Sequence, residues 1–289
     1  MSTATSAIDT YAERKTGGFA KTLDEIGVFV WRNLSHIPRM PERLADVTVM
    51  PIMFVLLFGY VFGSAITIPG MTPSPEAAAA YREFLIGGIF VQSMAFMSIT
   101  TAVGVVNDMK EGVIDRFRSL PIARVSVLMG RAIATLFEGG LGILVMALCG
   151  LLVGWGANNG LGNAIAAFAL LGAFAFAMIC LGIFIGQLVR NPMTAQVIGF
   201  VVIFPLTFAS NAFVPTDNMP GPLRAFSEWN PISAVTAAVR QLFGNGYVAR
   251  EGAPWPLTHP VEASIIWIVL FSVIGITLAV RRYSAGRDR

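Results

Sequence analysis

From Gly139 to Val189 the chain carries no Asp, Glu, Lys, Arg or His. About 20 helical residues cross the hydrocarbon of a bilayer, so this run is too long for one crossing. Its interior is broken once, at "WGANNGLGN" (Trp155–Asn163), where Gly and Asn suit a turn. Two spans joined by a short turn follow. Inside lipid the backbone must satisfy its own polar groups, which makes the spans helices. The apolar runs are continuous rather than alternating, which disfavours a β-barrel.

The same reading extends along the rest of the chain. Of the 289 residues, 55% are hydrophobic and 13% charged, about half the charge of a soluble domain. The fold class expected is an all-α polytopic membrane protein with six transmembrane helices. The spans are expected near 47–68, 84–106, 125–155, 164–189, 193–214 and 263–280. An even number puts both termini on one side. Of the 20 Lys and Arg residues, all but Arg82, Arg224, Arg240 and Arg250 then share the side of the termini. By the positive-inside rule that side is the cytoplasm. The expected localisation is therefore the cytoplasmic membrane, multi-pass, with cytoplasmic tails at 1–23 and 282–289. The polar N-terminus has no apolar h-region of a cleaved signal, so targeting is assigned to the first span.

Two flanking regions are apolar without being able to cross. In "LDEIGVFVWRNLSHIPRMPERL", Leu23, Ile26, Val30 and Leu34 share a helical face, and Trp31 suits the headgroup level. An interfacial helix along the inner leaflet fits, ended by Pro38 and Pro41; an ordinary cytosolic helix is the alternative. Between Pro215 and Pro260, seven prolines interrupt short apolar pieces. Short outer helices are expected there, dipping back only where protein or water covers their backbone.

The chemistry-bearing residues are few. No G-x-x-x-x-G-K-[ST] loop or G-x-S-x-G elbow occurs, so neither ATP binding by this chain nor an elbow hydrolase is indicated. His36 and His259 fall on opposite sides, and Cys149 and Cys180 in different spans, which is not metal-ligand spacing. No catalytic or metal residue is named, and the net charge of +3 is spread over span ends rather than gathered for nucleic acid. The third span carries Arg131 and Glu138, seven residues apart on one face. A charge at mid-bilayer costs about 2.5–3.5 kcal/mol on insertion scales. Either Arg131 sits at the headgroups and Glu138 faces other helices, or Glu138 lines a path. Gln92, Ser93, Met97 and Thr101 on the second span, with Thr207, Ser210 and Asn211 on the fifth, are the other candidate path residues. Interhelical hydrogen bonds worth about 0.6 kcal/mol each explain the polar ones equally well.

The stretch "EGVIDRFRSLPIAR", Glu111–Arg124, joins the second and third spans. Val113, Phe117 and Leu120 form an apolar stripe beside Asp115, Arg116 and Arg118, and Pro121 stops the helix. Such a stripe fits either a membrane surface or the groove of a cytoplasmic partner.

At these residues the sequence resembles a family. "GVIDRFRSLPIARVSVLMGR" resembles the cytoplasmic-loop signature of ABC-2-type permeases, the membrane subunits of ATP-binding-cassette exporters. "WRNL", "MPIMFVLLFGYVFGSAI", "LVRNPMTAQVIGFVVIFPLTFASNAFVP" and "MPGPLRAFSEWNPIS" extend the likeness over about Asp24 to Arg281, in the order of the daunorubicin/doxorubicin-resistance branch of actinobacteria. "MPGPLRAF" departs from it, since the family often has a tryptophan near Pro222. The resemblance implies one transmembrane domain over 24–281, an ATPase-coupling helix at Glu111–Leu120 and re-entrant helices after the fifth span. It further implies two ATP-binding subunits carrying ATP and Mg, and a second permease copy or relative. The function implied is export of a hydrophobic or amphipathic drug, antibiotic or lipid. A glycan exporter permease is the nearest alternative, and an ion-driven carrier the reading from another class.

Overall fold

In the computed structural model the described residues are 49, 52–61, 74–112, 124–245 and 252–285. The interfacial segment 23–41 and the stripe from Val113 to Pro121 lie outside them, as does half of the first expected span. Among the described residues the chain is all helical. A short π-helix, Leu57–Val61, is followed by α1 (Pro75–Lys110), α2 (Arg124–Leu152), α3 (Gly160–Leu188) and α4 (Pro192–Phe208). Then come α5 (Gly221–Glu228), α6 (Pro231–Phe243), α7 (Trp255–Thr258) and α8 (Pro260–Ala285), with a 3-10 turn at Thr216–Asn218 before α5.

Helix starts follow one local rule. Ser74, Asn191 and Asn230 each precede a proline and accept a hydrogen bond from a first-turn amide, of Ala77, Met193 and Ile232. A proline at the first helical position loses nothing, because its missing N–H would have no intrahelical partner. Gly244 ends α6 in the left-handed region (φ 76), which a glycine adopts without steric cost.

Four helices are long and apolar enough to cross a membrane: Glu76–Lys110, Met129–Leu152, Gly160–Leu188 and Pro260–Arg282. These are α1, α2, α3 and α8, so the protein is a multi-pass membrane protein. The fifth apolar helix, α4, stops at Phe208 after 17 residues, about 25 Å at the helical rise. The sequence suggested a span running to Val214; instead the chain turns at Ala209. The reason is tertiary, because Asn230 Nδ2 donates to the carbonyls of Leu206 and Ala209 (2.7 and 3.1 Å). That side chain both caps α6 and seals the end of α4.

α1 is the axis of the bundle. Its apolar window is 72% buried, against 33% for α2 and 28% for α8. It touches the π-helix, α2, α3, α4 and α6. Small residues permit this crowding, as in other membrane bundles. A Cβ on Gly182 would overlap the backbone of Ser98, and one on Gly186 would meet that of Ala102. The G-x-x-x-G pair of α3 therefore lies flat against α1, and the two helices run in parallel. Gly275 of α8 approaches Cys180 of α3 in the same way. Gly139 on α2 receives Met97, whereas nothing lies close to Gly140.

The Gly182 contact yields a test. Gly182→Val should force α1 and α3 apart and destabilise the protein by about 1–3 kcal/mol, as overpacking does. Gly172→Val, which would meet nothing within 4 Å, should leave the melting temperature in detergent near that of the wild type.

Candidate transport site

The polar residues of α1 do not gather on one lining. Gln92 and Thr101 lie about nine residues apart, half a turn out of phase, and both are buried. Thr101 Oγ1 donates to the carbonyl of Met97 at 2.6 Å, and Ser98 Oγ to that of Ala95 at 2.8 Å. Ser93 Oγ reaches Met146 Sδ on α2 at 3.5 Å. Met97 is buried against Gly139. Glu138, half-buried on α2, takes part in an interaction of its own.

The fifth-span residues do come together, at the end of α4. Thr207 Oγ1 donates to Ile203 (2.8 Å), Ser210 Oγ donates to Thr207, and the Ala212 amide donates to Ser210 Oγ (3.1 Å). Thr207 and Ser210 thus close the last turn of their own helix. Asn211 is different. Its backbone N–H donates to Ser233 Oγ on α6 (2.9 Å), while its buried carboxamide has no hydrogen-bond partner among the described residues.

The residue that organises this end belongs to the segment the sequence places on the outer side. Arg240, on α6, is wholly buried. Nε donates to the carbonyl of Phe84 at 2.7 Å, Nη1 to that of Asn211 at 2.9 Å, and Nη2 to that of Ala212 at 2.8 Å. The Phe84 ring lies under the guanidinium, 3.3 Å from Cζ to the centroid, a cation–π placement. Room comes from Gly87 and Gly88: a Cβ on the first would press on Arg240 Cγ, and one on the second would overlap the Ala212 carbonyl. The planar fork of arginine reaches three carbonyls at once, which an ammonium cannot do in that geometry. A sequence signal existed, since Ser233, Thr236 and Arg240 fall on one helical face of α6 and the Gly87-Gly88 pair on α1. A lone outer arginine does not by itself reveal that face.

The remaining outer pieces fasten to the same end. Trp155 Nε1 donates to Asn245 Oδ1 (2.9 Å), and the Asn158 amide to the Phe243 carbonyl (2.7 Å). Trp155, Phe90 and Phe243 pack edge to face or tilted, with centroids 5.0–6.1 Å apart. Arg224 spans the 3-10 turn through the carbonyls of Thr216, Asp217 and Met219. At the opposite end Arg131 pairs with Asp108 of α1, so its close partner lies on another helix. Among the described residues no three His, Cys, Asp or Glu side chains group as metal ligands. A cavity between α2, α3 and α8, touched by Met129, Cys180 and Ile276, has no charged lining residue.

Long apolar helices packed around α1 define a helical, multi-pass membrane protein. The chain belongs to the ABC-2 type transporter family, which it matches over residues 24–243. It is 29% identical over 213 residues to the daunorubicin resistance ABC transporter permease protein DrrB1 of Streptomyces coeruleorubidus, covering 74% of this chain and 72% of the relative. It is 23% identical over 260 residues to a candidate transport permease, ycf38, of Cyanophora paradoxa, covering 89% and 88%. The doxorubicin resistance ABC transporter permease protein DrrB of Mycobacterium tuberculosis is 23% identical over 201 residues, covering 70% and 68%. Membership of a family of ABC transporter permeases implies an ATP-binding partner.

Arg240→Met should lower stability by about 3 kcal/mol or more, since it strands buried carbonyls worth about 1–3 kcal/mol each. Arg240→Lys should recover only part of that loss. Thermal unfolding in detergent, followed by size-exclusion chromatography, reads both.

Proposed function

We propose that this chain is the permease subunit of an ATP-driven exporter that moves a hydrophobic or amphipathic compound, a drug, antibiotic or lipid, out across the cytoplasmic membrane. The observation that carries the reading is the family match over residues 24–243, joined to similarity with permeases named for daunorubicin and doxorubicin resistance. In this reading the chain has six spans, the short α4 among them and the first drawn from 47–68. Both termini are cytoplasmic, and α5 and α6 form an outer re-entrant layer.

Energy comes from a separate subunit, because this chain has no phosphate-binding loop. Two ATPase subunits carry the ATP and Mg and serve two permease copies. The stripe Val113, Phe117 and Leu120, flanked by Glu111, Asp115, Arg116, Arg118 and Pro121, seats in a cleft of the ATPase. Closure of the ATPases displaces that peg, and the displacement rocks the spans. A path through the centre of one chain is disfavoured by the packing, since Ser98 and Thr101 of α1 turn their hydroxyls to carbonyls of their own helix. The path belongs between permease copies.

Phe117→Asp should leave membrane insertion intact and abolish ATP-driven transport in vesicles, because a carboxylate cannot enter an apolar cleft without a large desolvation cost. Normal transport by that variant would remove the peg. Wild-type membranes in which no ATPase subunit co-purifies would overturn the exporter reading itself. Glu138→Gln should leave ATP-driven transport within about twofold of wild type, because a uniform packing role leaves the driven step untouched; loss of a pH-gradient-driven flux would favour an ion-coupled carrier.

A further inference from the structure

The segment outside the described residues at 113–123 has two roots, the end of α1 and the start of α2. Among the described residues, an ion pair joins them. Arg131, about two turns into α2, places Nη1 on Asp108 Oδ2, near the end of α1. Gly104 lies one turn before Asp108 and so shares its face of α1. A Cβ on Gly104 would overlap Nη2 of the same guanidinium. α1 therefore offers a notch and a carboxylate one turn apart, and the arginine fork fills both. The two side chains are 25% and 36% exposed, so attraction alone contributes little, in the range of surface pairs. What the arrangement supplies is position, as a planar fork held on two sides fixes the distance and rotation between two helices.

We propose that Gly104, Asp108 and Arg131 form a clasp that binds the two roots of the 111–123 segment into one body. The clasp rests on the reading above, in which that segment receives the push of an ATPase. Without it, a displaced segment could turn α2 alone and leave the axis of the bundle at rest. With it, the push reaches α1, and through α1 the helices that touch it, α3, α4 and α6. Asp108 and Arg131 are positioning residues, and the clasp stays closed through the cycle.

The test uses the full chain with its ATPase subunit in lipid vesicles. A bimane fluorophore is attached at Ala79→Cys, an exposed position near the far end of α1, with Cys149 and Cys180 replaced by serine. Three measurements are made: co-purification of the ATPase, ATP hydrolysis, and the change in bimane emission on adding ATP with vanadate. Gly104→Ala removes the notch without altering any charge, and it favours the helix by about 1 kcal/mol, which guards against misfolding. Asp108→Asn removes the carboxylate. Each should keep ATPase binding and hydrolysis within about twofold of wild type while the bimane response falls about fivefold or more, the scale of a typical coupling energy. The double variant should lose no more than either single one, because both break the same contact. A full bimane response in both single variants would overturn the clasp. Fully additive losses would also overturn it, as they would mean two separate effects. If no ATPase co-purifies with the wild type, the exporter reading falls and the clasp falls with it, an outcome distinct from a wild type that responds and variants that respond equally.

Discussion

A guanidinium sealed inside a membrane bundle must find its hydrogen bonds among the helices around it, since bulk solvent does not reach it. Arg240 finds them in three main-chain carbonyls drawn from two other parts of the chain, Phe84 in α1 and Asn211–Ala212 beyond α4. Charge and carbonyl dipoles strengthen one another in low dielectric. The cost of burying the group is offset only if all three acceptors stay in place. The position of α6 therefore fixes where α4 ends and how closely that end lies on Gly88 of α1.

The same close approach recurs along α1. Ser98 and Ala102 lie against Gly182 and Gly186 of α3, Ile99 against Gly199 of α4, and Met97 against Gly139 of α2. Lipid tails are as apolar as leucine, so burial alone gives such helices little reason to meet. Backbone proximity and dispersion take over, and both need small residues at the crossing points. Several buried hydroxyls in this packing turn to carbonyls of their own helix. Thr101, Ser98 and Thr207 do so. The carboxamide of Asn211 is the exception at the α4 end, and it stands beside the arginine that holds the turn.

These contacts arrange the chain around two ends. One end gathers the α2–α3 turn, α5, α6 and the tail of α4 around Arg240, Asn230, Asn245 and Trp155. The other gathers the roots of the segment between α1 and α2, tied by Arg131 and Asp108. α1 runs from one to the other over 36 residues, about 54 Å at the helical rise. A single continuous helix in contact with α2, α3, α4 and α6 can carry a displacement between those ends without a flexible joint.

The sequence by itself determined the membrane class, the main apolar helices and the family resemblance. Each of these rests on local properties: the absence of charge over Gly139–Val189, prolines and asparagines at helix starts, and a recognisable order of motifs. The G-x-x-x-G pair of α3 was equally present in the letters and would have pointed to a close crossing, though not to its partner. Only the tertiary structure decided that Arg240 is buried among three carbonyls, that Arg131 meets Asp108, and that α4 ends at Phe208. A side chain of several rotatable bonds is placed by acceptors far away in the chain, and no periodicity in its own segment encodes which carbonyls those are.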